Sequence, residues 1–312
     1  MATHRLEPER ATLHGRFSRE LPPALTIDPG DTVVLRTLQA GWALGPRPDD
    51  SPQSRPPQFA PRDPTRDDGH ALCGPIAIRG AEPGMALGVR IDDLRPDAWG
   101  MSFAGGWSSA VNDRLGVAED EETVLLWDLD ADALIGRDQF GHELPLRPFM
   151  GVMGLPPDEP GWHSTIPPRP CGGNIDGKEL VPGSTLYLPI AVPGALFSVG
   201  DGHARQGDGE VSQTAIECPM DRVELTFTLH PDLHLTTPRA ETPAGWLTFG
   251  FHTDLDEAML VALAAMIELI EERYGLPRGR ALALASLVVD LRITQVVNQV
   301  LGVHAVLPHG AL

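Results

Sequence analysis

The chain has 312 residues, of which 42% are hydrophobic and 21% charged, and its formal net charge at pH 7 is −19. These values exclude a disordered or fibrous chain and predict a globular protein with an ample apolar core. The acidic balance excludes the basic face that a nucleic-acid partner needs, and it disfavours binding to an acidic membrane surface in the same way.

The beginning of the chain carries no recognisable targeting signal. The segment MATHRLEPER lacks the apolar region of a signal peptide, and no apolar run in the chain reaches transmembrane length. We therefore expect a cytoplasmic protein.

Short strand-like runs separated by turn signals make up the chain from about residue 10 to 240. The runs 21–38 and 74–94 each predict two strands joined by a turn that contains Pro and Gly. Residues 46–69 are so rich in Pro, Asp and Arg that they predict a long loop, either a surface insertion or a lid. The pattern predicts a mainly β fold, a β-sandwich or a partly open barrel.

The pattern changes over residues 245–312, where it predicts an α/β portion. A strand at 245–251 is followed by a helix that starts at a cap-like Thr253 and stops at Gly275. A second helix over 278–286 and an alternating strand follow.

One segment approaches the phosphate-binding P-loop pattern. Residues 172–178 read GGNIDGK, but Glu179 stands where that pattern needs Ser or Thr to hold magnesium. The helix that the pattern requires is also blocked, because Pro182 follows closely. We therefore exclude a nucleotide site here.

The segment 198–217, SVGDGHARQGDGEVSQTAIE, concentrates acids and a histidine around four glycines. Asp201 and His203 are two residues apart on a predicted strand, so their side chains project from the same face. Glu217 lies near the end of the next strand, and Asp208 and Glu210 lie on the loop between them. Carboxylate, imidazole and carboxylate form a typical ligand set for zinc or a similar divalent ion.

Two interpretations of this segment remain open from the residue chemistry alone. One is a solvated hairpin loop rich in Gly and Asp. The other is a hydrolytic metal site, in which the ion lowers the pKa of water from about 15.7 to near 7 and a carboxylate carries the proton.

Several blocks of the sequence, in order from about residue 13 to 308, resemble the acetamidase/formamidase family. GDGHARQGDGEVSQTAIE resembles the hallmark of that family, and residues 147–176, RPFMGVMGLPPDEPGWHSTIPPRPCGGNID, resemble its central block. HALCGPIAIRGAEPG, at 70–84, resembles the N-terminal block. DLDEAMLVALAAMIELI and SLVVDLRITQVVNQVLGVHAVLP resemble the family's tail.

The resemblance implies an enzyme that hydrolyses a short-chain amide, such as acetamide or formamide, to a carboxylic acid and ammonia. It implies a single catalytic domain over residues 1–312, in a metal-containing homodimer or higher homo-oligomer. As the acidic charge already indicated, neither nucleic acid nor a membrane is expected as a partner. Metal-activated water is the expected nucleophile and zinc the expected ion. Asp201 and His203 are implied as metal ligands, with Glu217 as the third.

The resemblance also implies roles for seven further residues. Asn174, Asp176 and His70 are expected to line the substrate pocket. Those expected to bind the amide or move protons are Gln206, Asp208, Glu210 and Lys178, the only lysine of the chain.

Two alternatives accompany this interpretation. The same fold could act on a γ-lactam or a larger amide, or it could be a non-catalytic β-sandwich that binds a small molecule and holds a structural ion. The second alternative draws on the acidic loop 46–69 and on Met85, which replaces the family's usual acidic residue.

Overall fold

The computed structural model describes residues 1–51 and 53–312. Pro52, part of the predicted loop 46–69, lies outside the described residues. The helices are α1 (Ala110–Leu115), α2 (Leu255–Tyr274) and α3 (Arg278–Val288). The strands are β1 (Thr3–Leu6), β2 (Leu13–His14), β3 (Arg16–Phe17), β4 (Leu25–Ile27), β5 (Thr32–Leu35), β6 (Leu72–Ile78), β7 (Ala86–Pro96), β8 (Trp99–Ala104), β9 (Thr123–Asp130), β10 (Ile135–Asp138), β11 (Glu143–Pro145), β12 (Phe149–Gly154), β13 (His163–Ser164), β14 (Gly172–Asn174), β15 (Thr185–Pro189), β16 (Phe197–His203), β17 (Glu217–Cys218), β18 (Met220–His230), β19 (Arg239–Thr242), β20 (Gly245–His252), β21 (Asp290–Gln295) and β22 (Leu301–Pro308).

Most strands belong to two large sheets. The nine-stranded sheet has the order β1-β5-β18-β7-β15-β19-β20-β22-β21. The eleven-stranded sheet has the order β11-β10-β9-β8-β17-β16-β12-β14, with β6 also paired to β16, and β2 and β4 paired to β6. Neither sheet closes into a barrel, so the mainly β prediction with a helical C-terminal portion is confirmed. The short helix α1 interrupts the segment predicted as all-β.

Alternating apolar side chains hold the two sheets together. On β18 the side chains of Val223, Leu225 and Phe227 are fully buried, as expected for a strand with one face on the core. Phe227 meets Phe197 of β16 edge to face, with ring centroids 5.2 Å apart. The core thus lies between the sheets, and β16 forms part of its wall.

The two C-terminal helices cover the other face of the nine-stranded sheet. Buried residues such as Ala258, Ala262 and Met266 recur at helical spacing on α2 and pack with apolar residues of β22. Helix α3 ends at Val288, beyond the predicted range 278–286. Among the described residues, no helix is both long and apolar enough to cross a membrane.

The caps of α2 differ from the prediction at one end. The N-cap is Asp254 and not Thr253, because the Asp254 carboxylate accepts hydrogen bonds from the backbone N–H groups of Asp256 and Glu257. At the other end Gly275 adopts the left-handed conformation, with φ of 64°, as predicted for the C-cap.

The predicted loop 46–69 is irregular. Its described residues contain no helix and only one isolated bridge, from Gln58 to Ala43. Near the end of the loop, the Asp67 carboxylate is buried and lies 2.6 Å from a guanidinium nitrogen of Arg10. This ion pair fastens the end of the loop to the N-terminal part of the chain.

Gly250 allows the backbone of α2 to pack directly on β20. A Cβ atom at this position would lie 2.0 Å from the Ala258 carbonyl oxygen and 2.5 Å from the Ala262 nitrogen. We predict that Gly250→Ala lowers the free energy of unfolding by about 1–3 kcal/mol, because the helix must move away from the sheet. Urea unfolding followed by circular dichroism measures the change.

The matched control is Gly279→Ala, since a Cβ atom at Gly279 in α3 would have no other atom within 4 Å. Alanine has a higher helix propensity, so this variant should be unchanged or more stable by up to about 1 kcal/mol. Wild-type stability in Gly250→Ala would contradict the close approach of α2.

Candidate active site

Strand β16 brings the predicted metal ligands together. It pairs with β17 so that His203 lies directly opposite Glu217, which places both side chains on one face of the sheet. Asp201 precedes His203 by two residues and has a left-handed backbone, with φ of 60°. Aspartate tolerates that conformation better than most side chains. Phe149 of β12 packs edge to face on the His203 ring, at 5.0 Å between centroids.

The Nε2 atom of His203 faces two carboxylate oxygens. It lies 3.2 Å from Oδ1 of Asp201 and 3.3 Å from Oε1 of Glu217. Nε2 is buried and makes no hydrogen bond to any residue that the structure describes, so neither carboxylate satisfies it. Ligand atoms placed about 2.0–2.1 Å from a tetrahedral zinc ion are about 3.3–3.4 Å apart, which matches these separations. The donor set and its spacing therefore fit a divalent ion.

A second pair of acids lies on the Nδ1 side of the same ring. Nδ1 is 3.9 Å from Oδ1 of Asp176, and both atoms are buried without a hydrogen bond within residues 1–51 and 53–312. The Asn298 amide donates to Oδ2 of Asp176, at 2.6 Å, and to Oε2 of Glu210, at 3.4 Å. His203 thus lies between two pairs of carboxyl groups.

The electrostatics of the site are dominated by buried negative charge. Burial, with nearby acids, raises the pKa of Asp176 and also that of Glu210 well above the ordinary range. Burial alone would lower the pKa of His203, but attraction to Glu217 and Asp201 raises it. Burial alone would raise the pKa of Asp201, but attraction to His203 and His70 lowers it. Excess negative charge in a buried site favours retained protons or a bound cation.

Gly151 of β12 forms the base of the cluster. A Cβ atom there would lie 2.5 Å from Oδ2 of Asp201 and 2.8 Å from both Oδ1 of Asp176 and Cε1 of His203. Only glycine leaves room for these groups to converge. The sequence analysis did not single out Gly151, because nothing in its local pattern separates it from neighbouring strand glycines.

A cleft of about 310 Å³ opens above the cluster. Its lining residues are Gln39, Ala40, Gly41, Gly69, His70, Phe103, Ile166, Asn174, Asp201, Glu210, Gln213, Thr214, Glu217 and Asn298. The wall is therefore mixed, with small and apolar side chains on some sides and carboxylates and amides at the floor.

Five of the predicted site residues line this cleft, and the structure places them side by side. They are His70, Asn174, Asp201, Glu210 and Glu217. Asp176 and His203 are not among the lining residues and lie below them. Oδ1 of Asp176 is 3.9 Å from Nδ1 of His203, on the side of the ring away from Asp201 and Glu217.

The remaining three predicted residues do not line the cleft. Gln206 donates through its amide to the Asp176 backbone oxygen, at 3.3 Å. The ammonium of Lys178 lies 2.8 Å from Oδ1 of Asp208, and that aspartate is solvent-exposed. Roles for Lys178 and Asp208 in a reaction stay predictions.

The sequence analysis missed Asn298, which contacts the acids of the site from the C-terminal portion. Gln295 shapes the turn that presents it, since its side-chain oxygen accepts from the backbone N–H groups of Val297 and Asn298. Gln213 and Phe103 were missed as well. All three are ordinary polar or apolar residues without a local motif.

Two packed sheets with a histidine buried among carboxylates below a cleft define a β-rich protein with a candidate metal centre. The model of the Acetamidase/Formamidase family matches residues 2–162 and 161–309. The chain therefore belongs to the acetamidase/formamidase family.

Individual relatives agree with this assignment. A Schizosaccharomyces pombe protein with formamidase in its name is 33% identical over 259 residues, which are 65% of this chain and 60% of that protein. An acetamidase of Mycolicibacterium smegmatis is 29% identical over 257 residues, 64% of this chain and 61% of that protein. The chain thus spans about 60% of the length of the curated relatives it matches.

The fold is shared with a solved acetamidase structure from Bacillus halodurans. The two superimpose with a TM-score of 0.84 at 26% identity, covering 97% of each chain.

We predict that Gly151→Ala weakens zinc binding by about tenfold to hundredfold, because the added methyl group displaces Asp201 and Asp176. Isothermal titration of chelator-treated protein with zinc measures the affinity. Gly207→Ala is the control, since a Cβ atom at Gly207 would have nothing within 4 Å. Equal zinc affinity in both variants would show that the cluster does not bind the ion.

Proposed function

We propose that this chain is a metal-dependent amidohydrolase that cleaves a short-chain amide, of the acetamide or formamide type, to a carboxylic acid and ammonia. The observation that carries the proposal is the buried Nε2 of His203, which faces carboxylate oxygens at 3.2 and 3.3 Å beside a cleft. The family and the names of the relatives support an amide as the substrate.

Asp201, His203 and Glu217 would hold the ion, and their nitrogen and oxygen donors fit zinc. When bound, such an ion polarises the substrate carbonyl and makes water more acidic. The three side chains come from adjacent strands, which fixes their positions before any ligand arrives.

Glu210 is the proposed proton carrier. Its carboxyl group reaches the cleft while the residue is only 7% exposed, and Asn298 holds one of its oxygens. Burial, and then the neighbouring Asp176, raise the pKa of Glu210, so its carboxylate is a stronger base than that of an ordinary glutamate. We propose that Glu210 takes a proton from the attacking water and returns it to the leaving nitrogen.

Asn174 is proposed to position the amide. Its side-chain nitrogen donates to the Ile166 carbonyl oxygen at 3.0 Å, which fixes the orientation of the group. Its Oδ1 atom is buried beside the cleft, has no partner in the part of the chain that the structure describes, and can accept from the substrate NH₂ group. His70 lines the same cleft and is oriented by Thr165, whose hydroxyl lies 2.8 Å from Nδ1.

The size of the cleft supports a small substrate. Its volume of about 310 Å³ is near the lower end of the range of about 300–1,000 Å³ for ligand pockets. Ala40, Phe103 and Ile166 supply apolar surface for a short acyl group.

Water is favoured as the nucleophile over a cysteine thiolate. All three cysteines are buried. Burial raises the pKa of Cys73 to about 12 and that of Cys171 to about 11, and it also raises that of Cys218. These groups remain thiols at neutral pH and are poor nucleophiles.

Ammonia release from formamide and acetamide tests the proposal, with and without chelator and added zinc. We expect Glu210→Gln to lower kcat by about 10²–10⁴-fold at unchanged zinc content, because proton transfer is lost. His203→Ala should lose the cleft zinc ion and the activity together. Glu143→Gln, a matched control whose carboxylate is 52% exposed, should behave as wild type.

Each other outcome has a distinct meaning. Full activity in metal-free protein would reject the metal. Opening of a γ-lactam without ammonia release would identify the alternative substrate class. Ligand-dependent thermal stabilisation without any product would identify a binding protein.

Family resemblance also supports a single catalytic domain and a homodimer or higher homo-oligomer, and these stay predictions, as does the cytoplasmic location expected from the sequence. Light scattering on the purified protein and cell fractionation test the last two.

A further inference from the structure

A second group of ligand-type side chains lies outside the cleft lining. Glu179, Asp208 and His304, here called the Glu179 cluster, have ligand atoms within 4.8 Å of one another. Glu179 follows the segment that resembles a P-loop, Asp208 lies on the loop after β16, and His304 is on β22. The proposed hydrolysis does not require any of the three.

Two members of the Glu179 cluster are buried and lack partners. Glu179 is 3% exposed, and among the described residues neither of its carboxylate oxygens has a hydrogen-bond partner. His304 is fully buried, and its Nε2 also has none. The Thr294 hydroxyl holds Nδ1 at 2.8 Å, and Nε2 lies 3.5 Å from Oε2 of Glu179. Unpaired buried groups of this kind are costly unless something binds them.

The neighbouring cations do not satisfy Glu179. A guanidinium nitrogen of Arg292 lies 3.6 Å from its Oε1, and the Arg292 side chain is 41% exposed. Lys178 is engaged with Asp208 at 2.8 Å. The carboxylate of Glu179 therefore faces His304 with no short contact to either cation.

We propose that Glu179, Asp208 and His304 bind a second divalent cation, with zinc as the best match to one imidazole and two carboxylates. The separation of 3.5 Å between His304 Nε2 and Glu179 Oε2 is close to the value of about 3.3–3.4 Å for tetrahedral zinc ligands. Asp208 is solvent-exposed and supplies the route of entry. On binding, the ion takes the place of the Lys178 ammonium at Asp208.

Supporting this geometry, burial lowers the pKa of His304 to about 4. The ring is therefore neutral at pH 7, which is the form that ligates metals.

The position of the cluster assigns the ion a structural role. The loop after β16 is already joined to β21, since Gly209 N–H donates to the Thr294 oxygen and Val296 N–H donates to the Gly209 oxygen, both at 3.1 Å. An ion on Asp208 and His304 would fasten this loop to β22 as well. Glu210, two residues after Asp208, would be held more firmly. The proposal does not depend on amide hydrolysis.

Zinc stoichiometry and affinity test the site, measured on the full chain by elemental analysis and isothermal titration after chelator treatment. We expect Glu179→Gln and Asp208→Asn to bind one zinc ion per chain fewer than wild type. Because Asp208 is exposed, its variant keeps the test valid if the substitution of buried Glu179 prevents folding. Asp290→Asn, whose carboxylate is 68% exposed near Arg292, is the matched control and should retain the wild-type stoichiometry.

Two further variants separate this site from the cleft. His203→Gln should lose the cleft ion and keep the ion of the Glu179 cluster. Lys178→Met should bind zinc at the Glu179 cluster more tightly than wild type, because the ammonium no longer competes for Asp208. Wild-type stoichiometry in Asp208→Asn, or no zinc in folded His203→Gln, would overturn the proposal.

Discussion

The compensation of buried negative charge is the constraint on which the site depends. Four carboxyl groups surround the single imidazole of His203, and each of the four residues is at most 7% exposed. Buried carboxyl groups packed this closely are stable only where protons, hydrogen-bond donors or cations compensate their negative charge. The Asn298 amide supplies one such donor to Asp176 and Glu210. Gly151 contributes by leaving the space in which the acids approach the ring.

The site combines residues on paired strands of the sandwich with residues on connecting segments. His203 and Glu217 sit in register on paired strands whose neighbours form the core, so their positions follow from strand pairing. Glu210 and Asn298 lie on connecting segments held by backbone hydrogen bonds between the two. The three proposed ligands of the cleft ion therefore lie on strands. The proposed proton carrier lies on a loop, where small movements are less costly.

Local patterns in the sequence predicted those features of the fold and site that depend on residues close together along the chain. Period-two spacing predicted the shared face of Asp201 and His203, and Gly275 predicted the end of α2. The predicted start of α2 at Thr253 was one residue early, because Thr and Asp are both good N-cap residues and local sequence does not choose between them. Contacts between residues far apart in the sequence could not be predicted in this way. Asp176 and Asn298, for example, are 122 residues apart and share no motif. Likewise, closeness to His203 in sequence did not reveal that Asp208 turns toward Lys178 and away from the cleft.

Asn298 follows the other residues of the cleft site in the sequence, and this order bears on how the protein is made. A nascent polypeptide released after residue 297 would already contain Asp201, His203 and Glu217, the proposed ligands of the cleft ion, and also the proposed proton carrier. It would nevertheless lack the amide that bridges Asp176 and Glu210, and it would lack β22, the strand on which Gln295 and its turn are supported. The pocket is therefore completed only after Asn298 and β22 have been translated, so that a product shortened before them cannot assemble it.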